Sequence, residues 1–247
     1  YLQAFYTGMS EQLAEIDAIL ANAEVNFENT IEAMERSGAI LNRVLNVFYN
    51  KSSSDTNDQI DAIEAEIAPK LAAHSDAIRL NPQLFMRIKN LRENFSQLNE
   101  EQAWLVERYF RDFAHAGAEL SEANRNRVKQ INEELSSLQT QFSKKLLADT
   151  NDLAVVVDSE QELDGLSPNQ IAACKAAAES RGLADKWLIT MMNFTGHPLL
   201  DSLKNRALRE KVMKNSLLKG DRNNENDTKE VLLSTVKLRA ERAKLFG

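Results

Sequence analysis

A chain of 247 residues with 43% apolar content is long enough for one large domain or two small ones and carries enough apolar side chains for a core. Its 30 basic residues are dispersed among 37 acidic ones, for a net charge of −7. That leaves no basic stripe to follow a phosphate backbone and argues against a nucleic-acid partner. A single cysteine, Cys174, excludes an internal disulfide, and no apolar run approaches the ~20 residues that span a bilayer.

Eight glycines and four prolines are roughly half and a third of average usage, a balance that favours helix. Leu2, Phe5, Met9, Leu13 and Ile16 step by three and four residues and predict a first helix from Tyr1 to about Ala21. Asn29 with Glu32 reads as a cap and capping-box partner for a second helix, whose stripe is Ile31, Met34, Leu41, Leu45 and Phe48. The polar run from Ser52 to Asp58 ends it. Ile60, Ile63, Ile67, Leu71, His74 and Ile78 mark a third helix, in which Pro69 implies either a kink or a meeting of two helices. Asn81-Pro82 restarts a helix with proline at its first position. Asn99 caps another that carries Leu105, Tyr109, Phe113 and Leu120, with Glu107 placed to pair with Arg111.

Ser121 opens the longest helix. Its stripe of Val128, Ile131, Leu135, Leu138, Phe142 and Leu146 predicts near-antiparallel packing on neighbouring helices. The texture then changes. The β-branched run Leu153–Val157 and the segment Trp187–Thr190 read as strands able to pair, joined by a helix that starts at Ser167-Pro168-Asn169-Gln170 and ends at Gly182. Pro198 starts a short helix, Asn205 to about Leu218 forms another, 219–226 is a loop, and a last helix runs to Leu245. The residues thus predict a mainly α protein with one small two-stranded β element. They divide it into an antiparallel helical region, 1–150, and a strand–helix–strand element followed by helices, 151–247.

Chemistry-bearing residues are few. Zinc peptidase chemistry needs two histidines one helical turn apart with a glutamate beside the first, the pattern H-E-x-x-H. The three histidines, His74, His115 and His197, are far apart and none is followed by Glu. His74 and His115 are expected to be half-buried core histidines, and His197 an exposed turn residue. Cys174 reads as a small buried residue of an Ala-rich helix. Trp104, Tyr109, Phe110, Phe113, Met191 and Met192 read as core. The turn Asn193–Gly196 is the one exposed-looking polar element after a strand, suited to connecting strand to helix or to touching a ligand. No catalytic, cofactor-binding or metal-binding residue is assigned in this chain.

Several runs carry a resemblance by their order and spacing. They are FENTIEAMERSG from Phe27, Val47-Phe48 with Thr56-Asn57-Asp58, APKLAAHSDAI from Ala68, Leu80-Asn81 with Leu84-Phe85, VVVD from Val155, LDGLS from Leu163, KWLITMMNFTGHPLLDSLKNRALRE from Lys186, and LRAERAKL from Leu238. Together they span nearly the whole chain, and they resemble the front part of bacterial dipeptidyl carboxypeptidases, zinc metallopeptidases of the thimet oligopeptidase family. The turn departs slightly: Asn193-Phe-Thr-Gly-His-Pro stands where relatives often have Asn-Thr-Thr and a Gln before Pro.

The resemblance implies the N-terminal, substrate-access-restricting lobe of a two-lobed, mainly helical enzyme that releases C-terminal dipeptides from short peptides. Its zinc site belongs to a catalytic domain not contained in this sequence, so none is expected here and the chain alone is expected to be inactive. Two alternatives remain: part of an oligopeptidase that cuts internally in short peptides, or a non-catalytic helical interaction module. Because the sequence opens on Tyr1 inside a helical pattern, the native N-terminus is expected upstream. The expected compartment is cytoplasmic, with periplasmic as the alternative. An isolated lobe is also expected to self-associate through the face that meets the catalytic lobe.

Overall fold

The structure, a computed structural model, describes residues 1–94 and 98–247. It is mainly α, with helices α1 (Leu2–Ala21), α2 (Ala33–Arg36), α3 (Ala39–Ser54), α4 (Asp58–Arg79), α5 (Pro82–Glu93), α6 (Glu100–Ala116), α7 (Glu122–Asp152), α8 (Pro168–Ser180), α9 (Arg206–Leu217) and α10 (Lys229–Phe246). Strands β1 (Val155–Val157) and β2 (Trp187–Ile189) pair antiparallel, with Val156 opposite Leu188. The described residues form two compact units: Tyr1–Thr140 with Thr235–Gly247, and Gln141–Ser234.

The first unit has two apolar clusters. Phe5, Met9, Leu41, Phe48, Ile60 and Ile67 join the front of α1 to α3 and α4. Ile16, Ile31, Leu84, Ile88, Val106 and Phe113 are among those joining the rear of α1 to α5 and α6. Leu13, expected on the buried stripe of α1, is exposed. Gly8 is buried on the same helix, and its missing side chain lets the backbone of Leu41 come so close that a Cβ would lie 2.9 Å from its Cα.

The expected second helix is two. A π-helical turn, Glu28–Glu32, leads into α2, and the chain then breaks at Gly38 (φ +73°) before α3. The capping box also lies three residues earlier than the sequence suggests. Asn26 Oδ1 accepts from the Asn29 N–H at 2.8 Å and Asn29 Oδ1 from the Asn26 N–H at 3.1 Å, so Asn29 is the third-position partner and not the cap.

Helix α4 runs unbroken through Pro69. Asn57, Asn81 and Asn99 cap α4, α5 and α6 through their side-chain oxygens, and Pro82 is the first residue of α5. Glu107 pairs with Arg92 of α5 (2.6 Å) instead of Arg111 on its own helix. Arg92 reaches both carboxylate oxygens, through Nε at 2.6 Å and an Nη at 3.4 Å.

In the second unit, Val155, Val157 and Ile189 of the ribbon pack with Leu163, Cys174, Met191, Leu203 and Val212 into one core. Ser167 and Gln170 form the predicted capping box at the start of α8. The Asn205 side chain caps α9 by accepting from the Leu208 N–H. Asn215 of α9 donates to the Leu153 carbonyl oxygen (2.7 Å), fastening the helix beside the entry to β1.

Candidate functional site

The turn after β2 is the element the sequence singles out, and it is built by local hydrogen bonds. The Thr195 and Gly196 N–H groups donate to the Met192 carbonyl oxygen at 3.1 and 3.0 Å. The Thr195 hydroxyl lies 2.6 Å from that of Thr190 and donates to the Thr190 carbonyl oxygen. This closure turns the chain outward and leaves Phe194 76% exposed at the tip. A large aromatic held outward costs hydration free energy, which makes it the most conspicuous apolar group on this unit.

Beside the turn lies a cleft of about 440 Å³ between Met191–Phe194 and the α7 side chains Leu146, Leu147 and Thr150. Lys219 closes one edge, and its Nζ donates to the Met191 carbonyl oxygen. The cleft offers apolar side chains and hydrogen-bonding backbone. Met192, expected in the core, is exposed on its rim, whereas Met191 is buried.

His74 is buried, and its Nε2 donates to Gln12 Oε1 at 2.7 Å. The amide oxygen can only accept, so Nε2 carries a proton, and Nδ1 is buried without a partner. Burial lowers its pKa from the usual imidazole value. His115 is exposed on α6, where a half-buried residue was expected, because it lies on the turn away from Val106 and Phe113. His197 is exposed as expected, 2.6 Å from the Ser216 hydroxyl. Cys174 is buried, and desolvation pushes its thiol pKa up, the opposite of what a nucleophile needs. Phe113 is buried and Tyr109 and Phe110 pack half-buried against the core, but Trp104 is 59% exposed.

Among the described residues no three His, Cys, Asp or Glu side chains are grouped so as to hold a metal ion. No step of zinc chemistry is assigned to this chain.

Sequence reasoning missed Leu147, Lys219 and the buried Asp76. Leu147 is adjacent to the α7 stripe and looks like a surface leucine. Lys219 sits in a polar loop. For Asp76 a signal existed: an acid two residues from His74 and Ile78 on an apolar helix.

No family model matches the chain. Along its whole length it is similar to dipeptidyl carboxypeptidase of Escherichia coli (strain K12), 36% identical over 250 residues, and to that of Salmonella typhimurium, 34% identical over 250 residues. It is also 27% identical over 239 residues, 94% of the chain, to oligopeptidase A of Haemophilus influenzae. The chain spans 37% of the length of the two dipeptidyl carboxypeptidases and 35% of that of the oligopeptidase. No helix among the described residues is long and apolar enough to cross a membrane.

Proposed function

We propose that this chain, similar over its full length to dipeptidyl carboxypeptidases, is the N-terminal, access-restricting part of a zinc peptidyl-dipeptidase that releases C-terminal dipeptides from short peptides. The observation that carries this is the identity of 36% and 34% to two dipeptidyl carboxypeptidases across the whole chain, against 27% to the oligopeptidase. In this reading residues 1–150 and 151–247 both contribute to the lobe that narrows the channel. The zinc and its ligands belong to the remaining length that the relatives have. The enzyme works in the cytoplasm, with the periplasm as the alternative, on peptides and not on nucleic acid.

The whole gene product is the object to test. With an N-blocked oligopeptide it should release dipeptides successively from the C-terminus, lose this activity to a chelator and regain it with zinc. The 247-residue chain should hydrolyse nothing. Tight stoichiometric zinc in the 247-residue chain would overturn the reading. Internal cleavage as the first event would instead establish the oligopeptidase alternative, which the similarity to oligopeptidase A supports in second place.

A further inference from the structure

The first unit contains a polar cavity of about 460 Å³ that the proposed peptidase role does not use. On α4, Asp76 and Arg79 face it from one side of the helix. Asp112 and His115 enter from α6, Asn132 from α7 and Arg242 from α10.

Two groups stand out in this cavity. Asp76 is only 7% exposed, and both of its carboxylate oxygens accept from the single amide nitrogen of Asn132, at 2.9 and 3.0 Å. A carboxylate has about four acceptor sites, and among the described residues no cationic nitrogen forms an ion pair with this one. Burial raises the Asp76 pKa, opposed by the Asn132 hydrogen bond and by the charges of Lys129, Arg242 and Arg79. Arg242 is the counterpart. Its Nε–H is buried with no hydrogen-bond partner, while its guanidinium lies 5.0 Å from the centre of the Phe246 ring. A buried donor without a partner, such as the Arg242 Nε–H, is rare enough to call for an occupant.

The charge pattern selects the occupant. A simple cation at Asp76 would sit among Arg79, Arg242 and Lys129. A simple anion at the arginines would face Asp76 and Asp112. A molecule with a cationic end and an anionic end satisfies both groups at once. We propose that this cavity binds a small amino-acid zwitterion, a free dipeptide or α-amino acid, with its ammonium at Asp76 and its carboxylate at Arg242. Only the choice of a dipeptide as natural source rests on the peptidase reading, in which dipeptides are the product. The binding itself does not.

Titration calorimetry on the 247-residue chain tests it with Ala-Ala as probe, alongside alanine, N-acetyl-Ala-Ala and the amide of Ala-Ala. Saturable one-to-one binding of Ala-Ala or alanine is expected, with the tighter of the two identifying the source. Loss of either charged end should weaken binding at least about ten-fold. Asp76→Asn and Arg242→Gln should each do the same while circular dichroism stays native. If Asp76→Asn misfolds, the blocked probes on the unmodified chain still decide. Equal binding of blocked and free probes, or no saturable binding, would overturn the site. Failure here leaves the peptidase reading standing, since no catalytic assay enters the test.

Discussion

Gly165 shows how one position fixes a local fold. Its φ is +100°, and a Cβ there would lie 2.0 Å from the Ser202 carbonyl oxygen, while the neighbouring Asp164 carbonyl oxygen accepts from the Lys204 N–H at 2.8 Å. Gly165→Ala should destabilise the second unit by about 2 kcal/mol or more, through backbone strain and steric clash. Gly182 (φ +70°) has nothing within 4 Å of its added Cβ, so Gly182→Ala should cost only the left-handed conformation, about 1 kcal/mol. Hydrogen exchange of α8 and β1 amides reads the difference.

His74 gives a pH signature at the same scale. Its folded pKa is lowered by burial, so the unfolded chain binds the proton first as pH falls. The stability that depends on a neutral ring is complete above about pH 6.5 and is lost as pH drops from there toward the folded value. His74→Gln should flatten the slope of urea midpoint against pH over that window. An unchanged slope would place the titrating group elsewhere.

At the level of elements, the loop between α9 and α10 is held by a buried charge. Asp149 of α7 is fully buried, accepts from the Gly220 N–H at 2.6 Å and pairs with Arg222, which also meets Asp152 at 2.5 Å. Burial pushes the Asp149 carboxyl up, but Arg222 and the Gly220 N–H outweigh it and hold its pKa below the usual carboxylate value. The stability so gained is present above about pH 4 and is lost as pH falls through the folded pKa. Arg222→Met, which strands the carboxylate, should cost about 3 kcal/mol and open residues 219–228 to limited proteolysis. Resistance equal to that of the unsubstituted chain would show that the Gly220 N–H suffices.

Helix ends were legible for the same reason that this loop was not. Asn57, Asn81, Asn99, Ser167 and Asn205 act on N–H groups two or three residues away, so the signal is local. Arg222 and Asp149 are distant in sequence, and nothing in the residues between them marks the pair. The break at Gly38 was hidden because the apolar stripe carries on across it, with Met34 before and Leu41 after both buried.

For the whole molecule, the second unit carries exposed Leu217 and Leu218 at the end of α9 and Leu232 and Leu233 on α10. Exposed apolar groups of this size favour association. Sedimentation of the isolated 247-residue chain should show concentration-dependent self-association, reduced by Leu217→Ser combined with Leu232→Ser. A single monomeric boundary at high concentration would remove this expectation without touching the similarity to dipeptidyl carboxypeptidases.

The position of most helices, the caps of α5, α6 and α8, the paired strands and the resemblance to a peptidase family were determined by the sequence, because periodicity, capping chemistry and ordered motifs act within a few residues. Which apolar side chains became core was decided by tertiary packing: Trp104 and Met192 stay exposed although their near neighbours in the chain, Val106 and Met191, are buried. Packing alone also gave Glu107 its partner in Arg92 and brought Asp76, Asn132 and Arg242 to one cavity. A local period states which side of an element is apolar. Only the element packed against that side states what it meets.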